Sequence, residues 1–397
     1  MLKFKVNKLM FNFDFVTYLA YNLNLRIMKK LFLALIVSFM PFAAIAQNHF
    51  AERTGKGFID RYSDPDDIHL LYNENSFSWQ SGYVMFAMEY LWKLTGDQVY
   101  FNYIRKYVDQ HVDKDGNVHE FEAVDLDNFV SGYAILFMYE QTGEERYAKA
   151  IEKIRRGFDD YPRLDNGMFY HARSIPQTWV DGVFMGQIFT ARYARTMKHP
   201  EDFSEVVRQI TGSAALCDDG NGLLHHAWDP SGKSSNIWSE GMGWVAVLLA
   251  DVFDYLPMDY PGADKVMDIL RRMCSGLKGC QDQKTGMWCQ VVDRPSAPGN
   301  WNETSGTGMF IYLLQSAINR GFIPKEEYQP VVDRAYAGII RKAVVNADGF
   351  INLLDCSSIG LMRSYEEYIS QPREISTFAA YGSFILGTGI IELVPAE

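Results

Sequence analysis

Apolar and polar positions along residues 75–390 alternate between two kinds of segment. WQSGYVMFAMEYLWKLTG from Trp79 and DNFVSGYAILFMYEQTG from Asp127 each run from a small polar–glycine element into a helix-length stretch that is apolar nearly all round. Both end at a Thr-Gly pair, Thr95-Gly96 and Thr142-Gly143. The segments that follow, DQVYFNYIRKYV and EERYAKAIEKIRRGF, carry apolar residues at three- and four-residue spacing and predict amphipathic helices. A turn then holds Asp115-Gly116 or Asn166-Gly167. The first half of the unit recurs more loosely as VDGVFMGQIFTARYA, SEGMGWVAVLLADVF, ETSGTGMFIYLLQSAI and FAAYGSFILGTGIIEL, with turn dipeptides at Asn221-Gly222, Thr285-Gly286 and Asp348-Gly349. Six units of roughly 50 to 75 residues fit the chain.

A helix that is apolar all round is buried on both sides, and an amphipathic one lies outside. The pattern therefore predicts an all-α fold: an inner ring of six helices wrapped by an outer ring, closing as a toroid of helical hairpins. An α-solenoid has similar periods, but these inner segments are too apolar to line its wet concave groove. Gly82, Gly132, Gly182, Gly243, Gly308 and Gly382 recur near the inner helix starts, where small residues let the ring narrow. The polar residues of those first turns, Gln80, Asp127, Asp181, Glu240 and Glu303, then converge on one end. Helix N-termini also favour anions.

The first residues read differently. Lys29 and Lys30 precede the apolar run LFLALIVSFM, then Pro41 and Ala44-Ile45-Ala46 before Gln47. This is the pattern of a secretory signal peptide, with an upstream extension before Met28. We expect residues 1–46 to be removed, residues 47–397 to form one catalytic domain, and the protein to be exported to the periplasm or beyond. The apolar run is too short for a membrane span, and no cysteine follows the cleavage site to carry a lipid.

Composition narrows the function. The net charge is −11 with no basic run after the leader, which argues against nucleic-acid binding. The 8 Trp, 23 Tyr and 26 Phe suit a large core and also flat walls for stacking sugars. The five cysteines are odd in number and irregular in spacing, so free thiols are expected, although export would permit Cys274 to pair with Cys280. No Cys/His cluster has zinc-site spacing, and nothing requires a metal or an organic cofactor.

Candidate chemistry gathers near the predicted inner helix starts. FYHARSIPQTWVDG holds His171, Gln177, Trp179 and Asp181; LLHHAWDPSG holds His225, His226, Trp228 and Asp229. NIWSEGMGW holds Trp238, Glu240, Met242 and Trp244; GMWCQVVDRPSAPGNWNETSG holds Trp288, Gln290, Asp293, Trp301 and Glu303. Singly, Asp127 or Asp181 reads as an N-cap, Asp229 as a turn residue, and the tryptophans as core. Together, indole, imidazole and carboxylate recurring at one end of a ring form the pattern of a sugar site.

The motifs WVDGVFM, HHAWDPSG, NIWSEGMGW and GMWCQVVDRP…NWNETSGTGMF, in this order, resemble the unsaturated rhamnogalacturonyl hydrolases, glycoside hydrolase family 105. The resemblance covers most of residues 75–390 and implies an (α/α)6 barrel. It implies as substrate an oligosaccharide left by a polysaccharide lyase, ending in a uronic acid with a C4=C5 double bond. A carboxylic acid protonates C4, water adds at C5, and the hemiketal rearranges with release of the remaining sugar. By this resemblance Asp181 is the acid and Asp127 its partner carboxylate. His171, Gln177, His226, Trp228, Trp238, Glu240, Met242 and Trp244 would surround the sugar. Many family members carry arginine where this chain has Glu240, so the resemblance does not fix rhamnose as the leaving group, and fragments of another uronate-bearing glycan are an alternative. Two other functions fit the residues: a conventional two-carboxylate glycosidase on the same barrel, and a non-catalytic glycan-binding envelope protein.

Overall fold

The computed structural model describes residues 49–71, 75–358, 360 and 364–394. The predicted signal peptide lies outside them. Residues 50–397 belong to one compact unit. Six apolar helices form its inner ring: α2 (Trp79–Thr95), α4 (Gly132–Thr142), α6 (Val180–Thr196), α8 (Ser239–Asp251), α10 (Thr304–Asn319) and α13 (Phe378–Glu392). Each packs on the next, and α13 packs back on α2, so the ring closes as an (α/α)6 barrel. The outer helices α3 (Gln98–His111), α5 (Glu145–Arg156), α7 (Phe203–Cys217), α9 (Ala263–Cys280) and α11 (Lys325–Ile339) follow the first five inner ones. Among the described residues no amphipathic helix follows the last inner one. Its outer partner is α1 (Phe50–Arg61), the first described helix, which packs against α13. Closure thus joins the two ends of the unit, a pairing that no local pattern signals. Among the described residues no helix is long and apolar enough to cross a membrane.

The recurring dipeptides have one physical job each. Gly96 and Gly143 both adopt φ 69° and their N–H groups cap the C-termini of α2 and α4 through Trp92 O and Tyr139 O, the left-handed stop that glycine takes without strain. Close approach explains the inner glycines: a Cβ on Gly82 would lie 2.7 Å from Ser131 N, and one on Gly308 would lie 2.5 Å from Ser383 O. Neighbouring inner helices therefore touch backbone to backbone where they begin.

The turns that follow the outer helices return the chain to that same end. They continue into short strand pairs: β1 (Thr178–Trp179), β2 (Ala227–Asp229) and β3 (Gly232–Lys233) form one antiparallel sheet. β4 (Trp288–Cys289) pairs with β5 (Asn302–Glu303), and β6 (Ala343–Val345) with β7 (Ile351–Leu353). A six-residue helix, α12 (Tyr365–Ser370), lies between β7 and α13. All five cysteines are free thiols. Cys274 and Cys280 lie on α9 six residues apart, about 9 Å along the axis, beyond the reach of a disulfide.

Candidate active site

β1 pairs with β2 so that Trp179 lies opposite Ala227, and Val180 N–H donates to His226 O at 2.9 Å. This pairing sets the start of α6 beside the HHAWD segment. Asp181 is the second residue of that helix and only 7% exposed. Trp179 occupies the cap position, so the N-cap reading of Asp181 does not hold. Asp127 lies on the 3-10 turn Asp127–Phe129 that leads into α4.

Two histidines complete the group. His226 Nε2 is 3.9 Å from Asp181 Oδ1, and His171 Nε2 is 3.7 Å from Asp127 Oδ1. The His171 ring stacks on Trp179 at 4.4 Å and 4° between planes; His226 meets the same indole edge-on at 5.1 Å. One tryptophan thus spaces both imidazoles. Gly182 makes this possible, since a Cβ there would stand 2.8 Å from His171 Nδ1.

Burial pushes the Asp181 carboxyl up to about 6 from its ordinary 3.8. The positive charge of His171 and the backbone N–H groups of Asp181 and Gly182 pull it down, while the negative charge of Asp127 pushes it further up. A carboxyl poised there can exchange a proton near neutral pH in both directions.

Behind His226 stands a residue with no sequence signal. His226 Nδ1 shares a 2.5 Å hydrogen bond with the hydroxyl of Tyr368 on α12, 142 residues away. Tyr368 is fully buried, and Trp238 packs on His226 at 4.7 Å while its Nε1 donates to Ser357 Oγ at 2.9 Å. Helix α12 is fixed by a capping box between Ser364 and Glu367, a local stop–start signal that says nothing about where its tyrosine points.

A second acid pair adjoins the first. Glu240 is the second residue of α8, and Glu303 caps α10 by accepting from Ser305 N at 2.7 Å and Gly306 N at 2.6 Å. Ser357 N also donates to Glu303 at 3.1 Å. Ser305 Oγ lies 2.7 Å from Glu240 Oε2 and also contacts Glu303 Oε1. Burial drives the Glu240 carboxyl well above its ordinary range, and the charges of Glu303 and Asp181 push the same way.

The remaining expected residues divide. Gln177 accepts from Trp179 Nε1 at 3.2 Å and donates to Asp229 Oδ2 at 3.1 Å, so it holds the indole in place. Trp228 sits half-buried on β2 opposite Thr178 and Lys233. Asp229 is a turn residue, accepting from Ser231 N at 2.8 Å.

Met242 and Trp244 lie on α8 beyond Glu240. Met242 is two residues from Glu240, about 200° round the helix; it is fully buried and its Sδ accepts the Leu224 N–H at 3.4 Å. Trp244 lies one turn deeper, enclosed by Tyr83 at 4.4 Å, Phe184 at 5.2 Å and Trp79 at 5.5 Å. Both support the site from within the barrel. Trp288 is likewise core, its Nε1 donating to Leu277 O at 2.8 Å. Away from the site, an open groove between α7 and α9 is lined by Thr211, Asp218, Asp268 and Arg272; Arg272 pairs with Asp218 at 2.6 Å, and no aromatic wall borders it.

Known proteins share this ring of helices. The chain is 26% identical to a glycoside hydrolase from family 105 of C. acetobutylicum ATCC 824, with a TM-score of 0.80 over 87% of this chain and all of that one. The unsaturated glucuronyl hydrolase of Bacillus sp. GL1 has the same fold at 14% identity, with a TM-score of 0.65 over 87% of this chain and 97% of that one. Protein Atu3128 of Agrobacterium fabrum is 35% identical over 153 residues, 36% of this chain and 65% of that protein's length. An unsaturated 3S-rhamnoglycuronyl hydrolase of Alteromonas sp. is 25% identical over 183 residues, 44% of this chain and 43% of that protein. The sequence model described as Glycosyl Hydrolase Family 88 matches residues 50–392, nearly the whole barrel with all its helix starts, and the chain belongs to that family.

Proposed function

We propose that this protein is an unsaturated uronyl hydrolase: it hydrates the C4=C5 double bond of a uronic acid at the non-reducing end of lyase-generated oligosaccharides. The observation that carries this reading is Asp181, a buried carboxyl at about 6 set between His226, His171 and Asp127 at the mouth of the ring. The relatives' names, unsaturated glucuronyl and rhamnoglycuronyl hydrolases, support the same substrate class.

Protonated Asp181 gives its proton to C4, and positive charge develops at C5, shared with the ring oxygen. The resulting carboxylate takes a proton from water as the water oxygen bonds to C5. The hemiketal at C5 opens by breaking its bond to the ring oxygen, leaving a ketone at C5. The freed C1 hemiacetal expels the remaining saccharide as an alcohol and becomes an aldehyde. Asp127 keeps Asp181 from ionising too early, and His171 and His226 flank the acid with Trp179 as their common support.

The test is loss of ultraviolet absorbance from an unsaturated disaccharide, run beside its saturated counterpart. Absorbance lost with no release from the saturated sugar supports hydration. Release from the saturated sugar overturns it in favour of two-carboxylate hydrolysis. Tight binding without turnover favours a glycan-binding protein.

We also propose export by the N-terminal segment, supported by Lys29-Lys30, the apolar run and Ala44-Ile45-Ala46. A mature chain beginning at Gln47 in the periplasmic or culture fraction is the expected result.

A further inference from the structure

Ser305 stands between two buried carboxyl groups, and its hydroxyl has one proton to give. Its Oγ is in hydrogen-bond contact with Glu240 Oε2 at 2.7 Å and with Glu303 Oε1. Two contacts among three oxygens need two protons. With both acids ionised, one contact would set lone pair against lone pair in the interior, where an unmade bond is costly. One carboxyl must therefore carry a proton. Glu303 is the ionised partner, because three backbone N–H groups, of Ser305, Gly306 and Ser357, already point at it. The proton falls to Glu240, whose hydrogen bond to Ser305 Oγ is the one the structure gives it.

We infer that Glu240 is a neutral carboxylic acid, donating to Ser305 which donates to Glu303, and that it is a positioning residue which keeps the site open to an anionic sugar. This rests on the uronate reading above. The groups near this corner are mostly acids: Asp181 and Glu303 act on Glu240, and Asp127 acts on Asp181, with His171 as the opposing charge. Tyr83 from α2 and Cys356 beyond β7 also feel the Glu240 charge. An ionised Glu240 would add a negative charge beside Asp181 and repel the substrate carboxylate.

Glu240→Gln tests this, since a carboxamide copies the neutral acid and its donor towards Ser305. In the parent protein KM for an unsaturated disaccharide should rise at least fivefold on the alkaline side as Glu240 ionises. In E240Q that rise should flatten, because the carboxamide has no charge to gain. A KM rise unchanged in E240Q, or a kcat lost as in a variant of Asp181, overturns the inference. Infrared difference spectra give a readout independent of turnover. A protonated-carboxyl band at neutral pH, lost in E240Q and in Ser305→Ala shifted or lost, is the expected result. Its absence from the parent protein overturns the shared proton whatever reaction the site performs, whereas its presence with no activity on unsaturated sugars overturns only the uronate reading.

Discussion

Replacing Asp181 with asparagine separates stability from function in a way that only a raised carboxyl allows. In the folded protein Asp181 titrates at about 6 against an ordinary value of 3.8. An acid raised on folding binds its proton more tightly in the native state. It therefore penalises folding once ionised. The penalty is absent well below pH 3.8, grows between there and pH 6, and is complete above. At about 1.4 kcal/mol per pKa unit it reaches about 3 kcal/mol. For a domain of about 350 residues, with an unfolding entropy of roughly 2.1 cal/mol/K per residue, that is about 4 °C in Tm. Asp181→Asn removes the ionisable group while nearly keeping its shape. We expect the Tm of the variant, relative to the parent, to climb by about that amount from near pH 4 to just above pH 6 and then level off. Turnover of an unsaturated disaccharide should fall by at least about a thousandfold, because the amide can neither give C4 a proton nor take one from water. Thermal scans across pH measure the first, and ultraviolet absorbance the second. A Tm difference that stays flat across pH would refute the burial argument. A flat difference together with near-normal turnover would also remove Asp181 from the chemistry.

Three further outcomes follow from the same contacts. Gly182→Ala should push His171 off the start of α6, since the added Cβ would come within 2.8 Å of its Nδ1; losing that nearby positive charge raises Asp181 further, so the alkaline limb of the activity profile should move to higher pH while activity falls. Tyr368→Phe should lower kcat about three- to tenfold, the worth of one hydrogen bond, with KM little changed and the fold intact by circular dichroism. At the far end of the ring Arg192 is fully buried and pairs with Glu89 at 2.7 Å and with Glu140 at 2.5 Å; Glu89→Ala leaves the Glu140 pair and should cost about 1.5–3 kcal/mol in urea unfolding, the worth of one buried charge-assisted hydrogen bond, without changing the pH profile of the reaction.

Much of this molecule is legible from one dimension because its units are local. Burial on both sides forces inner helices to be apolar all round, and a left-handed stop forces glycine, so Thr95-Gly96 and Thr142-Gly143 announce helix ends before any coordinates exist. The same logic places Asp127, Asp181, Glu240 and Glu303 at one end, since each opens, or immediately precedes, an inner helix. Long-range packing decided the rest. The pairing of α1 with α13 joins helices more than 300 residues apart in the sequence, and neither helix carries a mark of the other. Tyr368 reaches His226 across 142 residues from a short helix whose sequence reads as ordinary surface. Whether an acid is a cap, a proton donor or a neutral strut depends on which N–H groups and which charges surround it. Glu303 became the cap and Glu240 the holder of a shared proton through contacts that exist only once α8 and α10 lie side by side. Local propensity sets the elements and their ends. Protonation and charge are properties of the space between elements, and that space exists only after the ring has closed.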